Sequence, residues 1–489
     1  MTEFRQIVNI DNKHVQKSSS IYKWAKVLKS GKYTCVPAQV FSANLLQDFN
    51  CILEKGVILE LTVPEYQSVV EDYDVRWFGR VVEVAGYRVL VEWIGSESSD
   101  TKVWVNALCG SVYSLNNLGR TDPKRERGNY IPPQVIMNRI DQADFENFVR
   151  DKFSTMVTSK SFNEEYDVAK KSLFKSKFEV GKRLELLDYL QSKDIYPAVV
   201  KTVMGRRVRV TISKEDAVMD YSEDHCQMNK NLEFWTDQDS FFLFPVGWAT
   251  RNGYNLKANA KYTKHTKAIA QDIEDGKKPK YAPQDITPDV INNPPFEKTF
   301  EVGQKFEFLD PLSEKFQDLK VASVLRVLKD GYICVGMDGP DQEEESVPLH
   351  STSSYLFPVG YANQYDIPLK GPEGFSEFAW APYFKQTRGV AAPDDLFKEV
   401  PENTRMRNLK KGYKLEASDM ANHSLICPST VVEVKGRLVV VSFDGWGSEY
   451  DQMFDVDSHD LFPLGWCEVH GYPLQAPQGE EEEKKRKRK

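Results

Sequence analysis

Residues 461–466 read LFPLGW, and nearly the same words stand at 243–248 (LFPVGW) and 356–361 (LFPVGY), with a worn form, LNNLGR, at 115–120. A second phrase precedes each of them: Glu54-Lys-Gly-Val-Ile-Leu-Glu, Val180-Gly-Lys-Arg-Leu-Glu, Val302-Gly-Gln-Lys-Phe-Glu and Lys411-Gly-Tyr-Lys-Leu-Glu. The glycines of this opening phrase, at 56, 181, 303 and 412, lie roughly 110–125 residues apart, far longer than a solenoid repeat and about the size of a small domain with its connector. The chain therefore divides into four units, at 20–125, 130–258, 259–371 and 372–478, followed by a charged tail at 479–489.

Between the two phrases run short stretches of alternating apolar residues, such as Tyr87-Arg-Val-Leu-Val-Glu-Trp, Ala198-Val-Val-Lys-Thr-Val and Leu438-Val-Val-Val-Ser-Phe. Gly-containing turns such as Met204-Gly-Arg and Val434-Lys-Gly-Arg pair them, so each unit reads as a small antiparallel barrel in a mainly β protein. The connectors (Ile21 onward, Phe145 onward, Phe378 onward) carry aromatics at helical or mixed spacing and predict arms with short helices. A barrel this small has little core of its own, so the arms are expected to pack on neighbouring barrels and lock the units together.

Composition narrows the function. No apolar run approaches the roughly 18–20 residues that span a bilayer, and the N-terminus lacks the apolar segment of a secretory leader. The seven cysteines stand singly, without a C-x-x-C pair, which argues against a zinc ribbon or a disulfide framework. Of the net charge of −8, the last ten residues contribute +2 (four Glu against six Lys/Arg), leaving −10 on the body. Phosphate backbones would be repelled, so nucleic acid is disfavoured except through a local patch, whereas basic partners such as histone tails fit. Lys484–Lys489 reads as a nuclear localisation signal. No nucleophile elbow, phosphate loop, acid/base pair or cofactor motif can be assembled, and no two of the seven histidines stand at metal-ligand spacing, so an enzyme is the least supported class.

The chemistry concentrates between Lys414 and Tyr450. Asp419 and Asn422 stand at the end of one predicted strand, and Phe443, Trp446 and Tyr450 cluster around the Asp444-Gly445 turn that ends another. One carboxylate, one amide and three aromatic faces suit a small organic cation and suggest a reader of methylated lysine. These aromatics could instead be core filling, but the other units do without them. Unit three has Met337, Pro340 and Glu344 there, unit two Ile212 and Glu215, and unit one Trp93, Ser96 and Asp100. Asp188 and Asp310 match Asp419 in units that lack a cage, so an Asp there has a structural role as well; Val63 replaces it in unit one.

These motifs resemble those of the MBT (malignant brain tumour) repeat family, of the four-repeat type. The resemblance covers roughly residues 20–478 and is most specific in unit four, through GYKLEASD, N-x-x-x-I-C, V-x-V-x-G-R-L-x-V-x-F-D-G-W, YD and D-L-F-P-L-G-W-C. It implies that each unit is a Tudor-like five-stranded barrel preceded by an extended or helical arm. It also implies a pocket for mono- or dimethyllysine at Asp419, Asn422, Phe443, Trp446 and Tyr450 without any cofactor, and a role in repression or chromatin compaction. Two other readings stay open: an assembly scaffold for repressor-complex proteins with a vestigial cage, and an RNA-binding Tudor-like protein.

Overall fold

The computed structural model describes residues 22–41, 53–66, 75–96, 101–115, 130–141, 143–156, 166, 170, 175–188, 192–218, 233–291, 299–375, 377–401 and 407–477. The alternating stretches form four separate sheets built on one plan. In the fourth, Tyr413–Asp419, Asn422–Lys435, Leu438–Phe443 and Gln452–Asp455 form an antiparallel meander, and the short strand Leu461–Phe462 returns to pair with the first. The other sheets repeat this order from Ile58–Thr62, Arg183–Leu187 and Gln304–Phe308. Each second strand carries a bulge at the same level, at Val81/Glu83, Val200/Thr202, Val324/Arg326 and Val431/Glu433. The extra residue bends the strand and lets a small sheet curl over its own apolar face. In the fourth barrel that face is Leu415, Ala417, Val431, Val439, Val441, Phe443 and Phe454, all buried.

The two repeated phrases turn out to be two halves of one contact. The glutamate that ends the opening phrase is buried in every barrel, as Glu60, Glu185, Glu307 and Glu416. In the last three it accepts the first free N–H groups of the short helix in the closing phrase. Glu185 takes Gly247 and Ala249 N–H (2.8 and 2.7 Å), Glu307 takes Gly360 and Ala362 (2.7 and 2.6 Å), and Glu416 takes Gly465 and Cys467 (2.7 and 2.9 Å). A carboxylate at a helix start satisfies donors that have no intrahelical partner. The glycine is needed because the chain enters that helix with φ near 92° at Gly465, a left-handed conformation that side chains resist.

Each arm supplies one more donor to the same glutamate. Tyr130 reaches Glu60 (3.1 Å), Tyr262 reaches Glu185 (3.5 Å), Trp380 Nε1 reaches Glu307 (2.8 Å) and Trp24 Nε1 reaches Glu416 (2.9 Å). An arm that precedes a barrel in sequence thus packs on the barrel before it, and the N-terminal arm packs on the last one. Thr34–Cys35 pairs in parallel with Tyr413–Lys414, and Val36, Val40 and Phe41 enter the fourth core.

Hairpin tips complete the interlock. The tip of the first barrel docks on the closing helix of the fourth, where Tyr87 N–H donates to Leu464 O at 2.8 Å and Arg88 pairs with Glu468 at 2.6 Å. A Cβ on Gly86 would lie 2.6 Å from the Leu464 backbone, so only glycine admits this approach. The second barrel sends the buried Arg207 to Ser418 and Asp460 of the fourth, both at 3.2 Å. The fourth sends Arg437 into the third, over Phe357 at 4.0 Å, with its N–H on Tyr361 Oη at 2.7 Å. The third meets the second through Lys329 N–H to Asn252 (2.8 Å) and the ion pair Asp330–Arg251. Among the described residues, no helix is long and apolar enough to cross a membrane.

Candidate functional site

In the fourth barrel the candidate side chains stand at the ends of its first and third strands and in the turn that follows the third. Asp419 closes the first strand and faces Asn422 across a turn of two residues, Met420 and Ala421. Asp419 Oδ1 accepts Ala421 N–H (2.9 Å) and Gln452 Nε2–H (2.8 Å), while Gln452 Oε1 accepts Met420 N–H (2.9 Å). Gln452 is buried, so its amide is a fixed bracket for the carboxylate. No donor among the described residues is bonded to Asp419 Oδ2. Asn422 is exposed, and its Oδ1 accepts Ser424 N–H and Oγ–H (3.3 and 2.6 Å).

The aromatic residues lie on the facing segment. Phe443 ends the third strand and is 5% exposed, packed in the barrel core. The chain then turns, with Trp446 N–H on Phe443 O (3.0 Å), and a 3₁₀ turn at Ser448–Tyr450 leads into the fourth strand. Trp446 and Tyr450 are 38% and 50% exposed, with ring centroids 5.2 Å apart and planes at 73°. Two large rings set edge to face and left open to water differ from core residues, which would be covered. Asp444 is engaged elsewhere: it accepts Lys414 Nζ (2.7 Å) and Thr430 Oγ1 (2.6 Å), pinning the turn to the barrel wall. Strand register puts Trp93, Ile212 and Met337 level with Phe443, so the other barrels carry the same frame with different side chains. In the third, Asp310 is held by Lys320 at 2.7 Å.

Gln452 escaped the reading of the sequence, since it is one polar residue in a strand whose other inward positions are apolar. A second feature also emerges only in three dimensions. Asp237 and Asp239 of the second barrel and His459 of the fourth bring ligand-type atoms within 4.8 Å of one another, beside a cavity of about 480 Å³. Arg206 already binds both carboxylates (2.8 and 2.6 Å), and Lys177 binds Asp239. Burial pushes the Asp239 carboxyl up, but the Lys177 hydrogen bond and the Arg206 charge outweigh it and hold it below its ordinary range. This is an ion-pair network at the junction of repeats.

Four interlocked, curled five-stranded barrels joined by arms define a tandem Tudor-like repeat protein. The mbt repeat family matches residues 182–263, 304–376 and 413–481. Protein lin-61 of Caenorhabditis elegans is 41% identical over 98% of this chain and 79% of its own length. Malignant brain tumor repeat protein 1 of the same organism is 30% identical over 93% of this chain and 86% of its own length. The chain belongs to the MBT repeat family. Its fold is also similar to that of the four MBT repeats of Drosophila melanogaster Sfmbt, crystallised in complex with the peptide RHR(me)K VLR; the TM-score is 0.76 at 24% identity, covering 94% of this chain and 99% of that one.

Proposed function

We propose that the protein is a nuclear, non-enzymatic chromatin reader that takes a mono- or dimethylated lysine of a histone tail into the end of its fourth barrel and acts in transcriptional repression. The observation that carries this reading is the pair of open rings, Trp446 and Tyr450, on the segment that leads into Gln452, whose amide holds Asp419 by one oxygen and, among the described residues, leaves the other without a donor. An aromatic face attracts a methylammonium by about 0.5–2 kcal/mol, more where water is excluded. Asp419 Oδ2 supplies an acceptor for the N–H that mono- and dimethylammonium retain and trimethylammonium lacks. Phe443 forms the floor, and Asn422 stands at the rim through its bonds to Ser424. Such terms sum to affinities on the order of millimolar to tens of micromolar, suited to multivalent targeting. The Sfmbt repeats, crystallised with a peptide that carries a methylated lysine among basic residues, support the same ligand class here. The acidic body favours a basic tail, and Lys484–Lys489, outside the described residues, supplies the nuclear address.

The test is calorimetric titration of the full chain with one histone-tail peptide carrying zero to three methyl groups, beside Asp419→Ala and Trp446→Ala. Binding should peak at one or two methyl groups and fall at least roughly tenfold in either variant, with melting unchanged. Binding that ignores methylation, or survives both substitutions, would move the protein to the class of assembly scaffolds.

A further inference from the structure

The loop that carries Tyr450 is held by a different repeat. In the third barrel the turn between the first two strands spans Leu309 to Asp318, where the fourth has only Met420 and Ala421. Asp310 starts this long turn and is fixed by Lys320 and by Leu312 N–H (2.9 Å), so it is already occupied within its own barrel. The turn then crosses to its neighbour. Phe316 is 1% exposed and belongs to the core of the fourth barrel, together with Leu415, Met420 and Phe443. It adopts a left-handed φ of 53°, a conformation costly for a bulky residue and retained only where its surroundings hold it. Its carbonyl accepts Met453 N–H at 2.9 Å. The next side chain, Gln317, directs Nε2 at the carbonyl oxygens of Ser448, Glu449 and Asp451, at 3.1, 3.0 and 2.9 Å.

We infer that Gln317, anchored by Phe316, is a positioning residue for the fourth repeat: it clamps the turn Ser448–Tyr450 and so fixes the aromatic wall relative to Asp419, making the pocket a product of two repeats. The inference rests on the proposed function for what the pocket binds, though the clamp itself does not. One amide gathers three carbonyls that lie at the edge of a short turn with little core of its own. Without that donor they turn to water and the turn samples other shapes. Binding must then order the wall, and apparent affinity falls by the fraction of time the wall is in place. The arrangement also gives the third repeat a role that needs no cage of its own.

The experiment uses the full chain with Gln317→Ala, Gln317→Glu and Gln317→Lys, read by hydrogen–deuterium exchange over residues 446–453 and by titration with a methylated histone-tail peptide. Tyr450 and Asp451 N–H, bonded to Gly447 O and Ser448 O (3.0 and 3.2 Å), report the turn directly. Alanine and glutamate, which offer no donor to three carbonyls, should speed this exchange and weaken binding roughly 3- to 10-fold, while melting stays unchanged. Lysine, with three donors on one nitrogen, should restore both. Unchanged exchange in Gln317→Ala overturns the clamp. Faster exchange with unchanged affinity overturns its coupling to the pocket. Faster exchange in a protein whose unsubstituted form binds no methylated peptide leaves the clamp standing and sinks the proposed function instead.

Discussion

A carboxylate selects a cation only while it is held still, and for Asp419 that task falls to a buried amide. Gln452 bridges Asp419 Oδ1 and Met420 N–H, so both ends of the side chain are used (2.8 and 2.9 Å). Replacing it with Leu keeps the volume but leaves the Met420 N–H without its acceptor, a cost of about 1–3 kcal/mol in stability. It also frees Asp419 to rotate. Calorimetry should show affinity for a dimethylated peptide reduced by roughly tenfold, as a lost charge-positioning bond implies, and denaturant unfolding should show the stability loss. Equal affinity in Gln452→Leu would mean that Asp419 needs no bracket. Trp446 and Tyr450 were legible in the sequence because they stand beyond the end of an alternating strand, where the other units carry Pro340 and Glu344 or Ser96. Gln452 was not, because a lone polar residue at an inward position looks like solvated surface. Only register shows that Val103, Phe234 and Val347 occupy its place in the other barrels.

Among elements, the recurring phrases were visible as words, but their meaning depends on contacts far apart in sequence. Glu416 and Gly465 are 49 residues apart, and Trp24 meets Glu416 from a distance of 392. Repetition reveals that a Glu and an LFPxGW must matter in each barrel. It does not reveal that one caps the other, since a glutamate after Leu or Phe in a strand reads as an outward-facing residue. The arms were legible as helical and aromatic, while their partners follow from chain crossing that no local pattern records. A sharp consequence is that the N-terminus stabilises the last repeat. Trp24→Ala removes a buried ring and the donor to a buried carboxylate, and should cost about 3–5 kcal/mol. Hydrogen exchange should rise in Tyr413–Ala417 and in Trp466–His470 and stay as it was in Arg88–Trp93 of the adjoining first repeat. Loosening confined to the first repeat would reverse this assignment of the arm.

At the scale of the whole molecule, the repeats are joined by side chains whose charge state depends on the junction being closed. His470 packs at a tilt on Trp466 (4.3 Å between rings) and lies against Gly205 of the second repeat, and burial pulls its pKa down to about 3. His423 sits edge-on to Phe234 and Phe242 (5.1 and 5.7 Å). Burial lowers it too, helped by Arg207 and opposed by Asp460 and Asp419. In both, the folded environment favours the neutral ring, and exposure makes protonation easier. Their contribution is therefore present above the unfolded value near pH 6.5 and is lost as pH falls below it. The capping glutamates act in the opposite sense: burial pushes Glu185 up to about 7, so its contribution is greatest in acid and is lost as pH rises through that value. The net profile sums opposing terms, and substitution is needed to separate them. In His423→Gln/His470→Gln, stability should fall less between pH 6.5 and 5.5 than in the unsubstituted chain, with His470 contributing up to about 1 kcal/mol of the difference and His423 acting in the same direction. Relative to its intrinsic rate, exchange at Met204–Arg207, the hairpin tip of the second repeat, should rise with acid more in the unsubstituted chain than in the variant, because that junction opens to admit the protons. Identical slopes in the two proteins would mean that both rings take up protons without the second and fourth repeats parting.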